Sequence, residues 1–251
     1  MSAHELSGSG VPEDALAILA TAPITMEGRM PWASNATFLV QVEPDHGPAA
    51  RAIYKPVRGE RPLWDFEPGL HRREVAAFRL SETLGIGAVP PTVLRPDAPL
   101  GEGSLQWFVD ADHSEHYFTV FEQRPDLHDQ LRGIAVLDVV ANNTDRKSGH
   151  CLLVRDPDGE RTRDRVWAID NGLCFASDFK LRTVIWEFAG DALTRAQLAA
   201  VAALADCVPG EVAELIAPDE VEAMQRRARW LAVHKVLPGD DSGHRYPWPL
   251  V

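Results

Sequence analysis

Lysine and cysteine are both scarce in this chain, and each scarcity excludes something. Only four of the 25 basic residues are lysines, Lys55, Lys147, Lys180 and Lys235, so chemistry that needs a compact ammonium group has few candidates. Basic charge as a whole is in deficit, because 37 Asp and Glu leave a formal charge of −12. Sequence-independent nucleic-acid affinity comes mainly from Lys and Arg neutralising phosphates, so no nucleic-acid partner is expected. The three cysteines, Cys151, Cys174 and Cys207, contain no CxxC pair, which indicates neither a disulfide framework nor a cysteine zinc site and suits a reducing compartment. Long apolar runs are also missing: the longest, Ala15 to Met26, is about half the ~20 residues of a membrane-spanning helix and is broken by Pro23. Met1 to Pro12 has neither a basic n-region nor a signal-type apolar segment, so a cytoplasmic protein without integral membrane association is expected. What remains, 45% apolar and 25% charged residues over 251 positions, is the balance of a globular protein with room for two lobes sharing a cleft.

No repeat with a period of about 20 to 50 residues is visible, which argues against solenoids and propellers. Glu13 to Ala22 reads as a short helix stopped by Pro23. Ile24–Glu27, Thr37–Val42 and Arg51–Lys55 are β-branched and apolar runs that predict three antiparallel strands. His71 to Leu84 has helical spacing and is stopped by Gly85, and Val89–Leu94 and Gly103–Val109 predict two further strands. Leu127 to Asn142 is apolar over enough of its surface to be a buried helix. Cys151–Val154 and Val166–Ile169 flank the turn-rich 156–164 as a hairpin, and helices are predicted over Arg195–Cys207 and from Pro218 to His234. The division that follows is a tail and short helix (1–23), a strand-rich lobe (24–110), a mainly helical lobe (111–237) and a tail without regular structure (238–251).

The densest polar cluster, Asn142 to His150, lies between the buried helix and the first hairpin strand. The turn Asp170–Asn171–Gly172 leaves the second hairpin strand, so Asp145 and Asp170 are expected at the same end of the hairpin. Two converging carboxylates with Asn143 and His150 nearby suit a hard divalent metal and a polar substrate. Lys55 at a strand end and Glu74 on the next helix supply a phosphate-neutralising ammonium and its orienting partner. Asp110 to His116 reads as a solvated hinge loop, Lys147 as an exposed loop lysine or, alternatively, one that touches a phosphate or substrate, and Trp186 and Phe188 as core.

The order Lys, Glu, Asp, Asp is the kinase order. Gly103–Val109, Val136–Asp138 leading into Asn143–Arg146, and Ala168–Phe175 resemble the corresponding segments of type II phosphatidylinositol 4-kinases. More widely, the chain resembles the lipid-kinase and HipA-like branch of the protein-kinase fold and small actinobacterial kinase-like proteins, over about residues 24 to 190. The resemblance implies an α+β, protein-kinase-like two-lobe fold. It also implies that Lys55, with Glu74 as partner, binds the α-phosphate side of ATP, and that Ser34, Asn35 and Ala36 occupy the place of the phosphate-covering loop. Val109 falls at the hinge beside adenine and Ile169 beneath that base. Asp145 takes the place of the catalytic-loop aspartate and Asp170 that of the metal-binding one, while Arg146 fixes the loop or offsets charge on the transferring phosphoryl group.

Two departures bear on function. His150 stands where the lipid-kinase pattern has a metal-binding asparagine, and imidazole suits Mn²⁺ or other transition metals better than Mg²⁺. Either the metal preference shifts, or Asn143 or a water fills the place, or catalysis is weakened. The lipidated cysteine-rich segment of the type II enzymes has no counterpart here. The expected activity is transfer of the γ-phosphoryl group of ATP, with Mg²⁺ or Mn²⁺, to a hydroxyl of a small polyol-like molecule, an inositol lipid or a protein. The alternative is a nucleotide-binding pseudokinase or regulatory module without turnover.

Overall fold

A computed structural model describes residues 11–31, 35–63, 66 and 68–250. The first described element is helix α1 (Ala15–Thr21), followed by three strands, β1 (Ile24–Arg29), β2 (Phe38–Val42) and β3 (Ala50–Pro56). Helix α2 (Leu70–Thr83) is followed by β4 (Thr92–Arg95) and β5 (Gly103–Trp107), and the five strands form one antiparallel sheet in the order β1-β2-β3-β5-β4. Helices α3 (Tyr117–Gln123) and α4 (His128–Ala141) precede the hairpin β6 (Cys151–Val154) and β7 (Arg165–Ala168), after which α5 (Arg195–Asp206), α6 (Gly210–Ala213) and α7 (Pro218–His234) complete the fold.

Local chemistry explains the boundaries. Strand β4 begins later than its apolar run suggests, because Pro90 and Pro91 immediately precede it and cannot donate to a ladder. Helix α4 ends where Asn142 turns left-handed (φ 52°), a conformation Asn tolerates, and the buried Arg227 of α7 donates to the carbonyl of Val140 in its last turn. Helix α1 joins the sheet side: Ala15 and Leu19 are buried there, and Arg95 donates to the carbonyls of Leu19 (2.8 Å) and Ala22 (3.0 Å). Helices α3 and α6 carry no period long enough to be read from sequence.

Two apolar cores result, one under the sheet and one among the helices. The hairpin joins them. Successive side chains of a strand point to opposite faces, and Cys151, Leu153, Val166 and Ala168 enter the helical core while Leu152, Val154 and Trp167 enter the sheet core. A hairpin buried on both faces must read as continuous apolar runs, which is what both strands are. The crossing segment between the lobes is fixed to it, with the Asp112 amide donating to the Leu153 carbonyl at 3.1 Å. Phe188 is buried in the helical core and Trp186 packs against it, as expected. Among the described residues, no helix is long and apolar enough to cross a membrane.

Candidate active site

In β3 the alternation sends Ala52 and Tyr54 into the core, and Ile53 and Lys55 to the other face, where they line a cleft between the lobes. Gly103 on β5 permits the close packing beneath: a Cβ there would lie 2.5 Å from the Lys55 carbonyl oxygen and 2.7 Å from the Tyr54 ring. Glu74, on the buried face of α2, forms an ion pair with Lys55, while its second oxygen accepts the Asn171 amide at 3.0 Å. One carboxylate therefore ties the sheet lysine to the turn after β7.

That turn presents Asp170 in a left-handed conformation (φ 56°), which Asp tolerates better than most residues. Lys55 Nζ lies 2.7 Å from Asp170 Oδ1, joining residues 115 positions apart. Burial alone would lower the Lys55 pKa, but the Asp170 and Glu74 carboxylates outweigh it and hold the ammonium charged. Lys55 in turn keeps the Asp170 carboxyl well below the usual range, against the opposing effect of desolvation.

The polar cluster Asn142 to His150 is held by a buried ion pair. Arg146 and Asp138 are 0% and 1% exposed and meet at 3.0 Å, and Asp138 also accepts from Asn143 and Thr183, each at 3.1 Å. Arg146 continues to the Ile169 carbonyl (2.7 Å) and the Asn171 side chain (2.6 Å), so it fixes the loop to the Asp170 turn and is turned away from the cleft. Asn143 is spent in the same way. Its amide nitrogen donates to Asp138 and its oxygen accepts the Asp145 amide at 2.9 Å, so both ends of its side chain are engaged within the loop. A lone Asp in the apolar run of α4, eight residues before an Arg, was the available signal for this network.

Asp145 faces the cleft and pairs with Lys147 at 2.9 Å; burial raises its carboxyl pKa, and the Lys147 contact opposes that rise. Lys147 is thus a cleft residue rather than an exposed loop lysine. His150 Nδ1 lies 2.9 Å from the Asp145 carbonyl, and since a carbonyl only accepts, the proton belongs on Nδ1. Burial pushes the imidazole pKa down to about 4, so the ring is neutral at physiological pH. Nε2 then presents a lone pair to Asp170 Oδ2 at 3.4 Å. Imidazole nitrogen and carboxylate oxygen are two ligand types that divalent cations take, and among the described residues no third His, Cys, Asp or Glu joins them in a cluster.

The cleft has two adjoining parts. One, of about 630 Å³, is lined by Asn35, Ala36, Lys55, Glu74, Asp145, Lys147, His150 and Asp170. The other, of about 230 Å³ and mostly apolar, is lined by Ile53, Val109, Leu152 and Ile169, and shares Thr37, Lys55, His150 and Asp170 with the first. Asn35 Oδ1 accepts the Arg61 amide at 3.0 Å and the Ala36 amide donates to the Gly59 carbonyl at 3.1 Å; Ser34 lies outside the described residues. Among the described residues, the Asp110 to His116 segment holds no metal-ligand cluster, and its His113 lines the apolar part instead. Pro249, far along the chain, walls the larger part and had no local signal.

The chain is similar to several known proteins. Residues 79–195 match the family of phosphatidylinositol 3- and 4-kinases. Protein Rv2133c of Mycobacterium tuberculosis (strain ATCC 25618 / H37Rv) is 38% identical over 94% of this chain and 95% of its own length. Phosphatidylinositol 4-kinase gamma 4 of Oryza sativa subsp. japonica is 31% identical over 45% of this chain, which corresponds to 22% of that protein. Among solved structures, the Golgi casein kinase with Mn/ADP bound superposes with a TM-score of 0.59 at 17% identity, covering 95% of this chain and 80% of that one. Hydra Fam20 with sugar gives 0.55 at 15% identity, covering 88% and 87%. The fold is a protein-kinase-like two-lobe fold. The chain belongs to the same family as Protein Rv2133c, and its residues 79–195 are similar to phosphatidylinositol 3- and 4-kinases.

Proposed function

We propose that this protein is an ATP- and divalent-metal-dependent kinase that transfers the γ-phosphoryl group to a hydroxyl. The observation that carries the reading is the convergence of Lys55, Glu74, Asp145, His150 and Asp170 on one cavity, next to an apolar compartment bounded by Val109 and Ile169. The apolar part suits the adenine ring. Lys55, kept charged and oriented by Glu74, suits the phosphates, and the backbone around Asn35 and Ala36 suits their outer oxygens. Asp170 and His150 Nε2 would hold the metal ion, which when bound neutralises charge on the phosphates. Asp145, its pKa raised by burial, receives the proton of the attacking hydroxyl, and Lys147 holds that carboxylate in position. Arg146 and Asn143 keep the loop rigid, which is where phosphoryl transfer asks most of a protein.

The acceptor is a hydroxyl of a small polyol-like molecule, an inositol lipid or a protein, and a cytoplasmic setting fits the absence of disulfides. Binding of Mn·ADP or Mg·ADP should raise the melting temperature, and Asp170→Asn should remove most of that rise. Asp145→Asn should keep it while lowering single-turnover transfer from labelled ATP by about 10²–10⁴-fold. No nucleotide-dependent rise with either metal rejects the site. A rise without any transfer, to acceptor or to water, identifies the nucleotide-binding pseudokinase instead.

A further inference from the structure

The segment after α7 forms no helix or strand, yet it is fastened at several points to the catalytic side of the helical lobe. Asp240 accepts the Arg245 amide at 2.9 Å and so folds the segment back. The Arg245 carbonyl then accepts the Thr183 amide at 3.1 Å and the Trp186 indole N–H at 3.2 Å, and the Arg245 guanidinium lies 4.6 Å over the Phe179 ring. Five residues later the Leu250 carbonyl accepts the Ser148 amide at 2.8 Å. Ser148 follows Lys147 in the catalytic loop, and Thr183 is a donor to Asp138, so the segment is bonded at both ends to the elements that hold Asp145. Between these anchors Pro249 forms part of the wall of the catalytic cavity. Trp248, the preceding residue, is 88% exposed.

Resting on the kinase reading, we propose that residues 245–250 are a strap closing the acceptor side of the cleft, with Pro249 a specificity-determining residue that keeps water from the γ-phosphoryl group. An open phosphoryl-transfer site wastes ATP. Water's oxygen bonds to the γ-phosphorus as the bridging P–O bond to ADP breaks, Asp145 takes the proton, and ADP and phosphate leave. Pro249 offers an apolar, rigid surface with no hydrogen-bond donor to hold a water at that place. Pro249 lines the larger part of the cleft, which Asp145 and Lys147 also line, and it does not line the apolar compartment assigned to the base.

The test compares the full chain, a chain ending at Tyr246 and the milder Pro249→Gly, each with Mn·ATP and no added acceptor. Opening the strap should raise ATP hydrolysis about tenfold, a barrier change near 1.4 kcal/mol, at unchanged KM for Mn·ATP, and Pro249→Gly should move in the same direction. Hydrogen exchange in the peptide containing Ser148 should be faster in the shortened chain. Unchanged hydrolysis, with the Mn·ADP melting shift intact, overturns the proposal. So does a joint fall of hydrolysis and nucleotide affinity, which would mean that the strap only braces the loop. A full chain with no nucleotide-dependent melting shift rejects the kinase reading first, and the strap's role falls with it.

Discussion

At His150 the proton on Nδ1 is committed to the Asp145 carbonyl, and Nε2 is left facing Asp170. An imidazole nitrogen is a softer ligand than the amide oxygen it replaces in the lipid-kinase pattern, so the site should favour Mn²⁺ over Mg²⁺. His150→Asn should lower the ratio of Mn²⁺- to Mg²⁺-supported activity by about tenfold or more, the size of effect seen when a metal's immediate surroundings change. Steady-state rates with each metal check this, and an unchanged ratio removes His150 from the metal. Sequence alone could place His150 beside the two aspartates but could not choose between Asn143 and His150. That choice depended on which groups a neighbouring buried Asp138 had already claimed.

On the scale of elements, the position of Lys55 depends on how closely two strands approach. Any Cβ at position 103 collides with the backbone of Lys55 and Pro56, so Gly103→Ala should force β5 away from β3 and destabilise the fold by about 1–3 kcal/mol. Denaturant melts measure it, and a loss well under 1 kcal/mol would show that the strands have slack. Helix α2 is held at its start by Glu60, which accepts the amides of Gly69 (3.0 Å) and His71 (2.9 Å) and lies 3.0 Å from the His71 ring. Burial alone would raise the Glu60 pKa, but these contacts lower it from 4.5 to about 2. A carboxyl depressed in the folded state contributes stability that is complete above the unfolded pKa and lost as pH falls through the folded one. The melting-temperature gap between the native chain and Glu60→Gln should therefore be full at pH 6–7, narrow below about pH 4.5 and vanish near pH 2. A gap independent of pH would contradict the capping role.

Across the whole molecule, Arg146 and Asp138 connect α4, the catalytic loop, the Asp170 turn and, through Thr183, the strap. Removing one partner of a buried pair leaves the other charge unpaired, so Arg146→Ala should cost about 3–5 kcal/mol, and the double change Asp138→Leu with Arg146→Met should restore much of it. If the double variant is no more stable than the single, the pair's worth is geometric and not electrostatic. Either outcome is read by denaturant unfolding.

What the sequence determined by itself follows from local rules. Alternation and apolar runs placed the early strands and the hairpin, helical spacing placed α2, α4, α5 and α7, and the kinase order of Lys55, Glu74, Asp145 and Asp170 identified the likeness to lipid kinases. Only the tertiary structure decided the rest. Arg146 and Asn143 are chemically able to face substrate, and the fold turns them inward because Asp138 would otherwise be a buried, unsatisfied charge. Lys147 reads as a surface residue until Asp145 is seen 2.9 Å away. The strap has no periodicity, so nothing local announces it; its place comes from hydrogen bonds to loops about 60 to 100 residues earlier, and such contacts exist only once the helical lobe is folded.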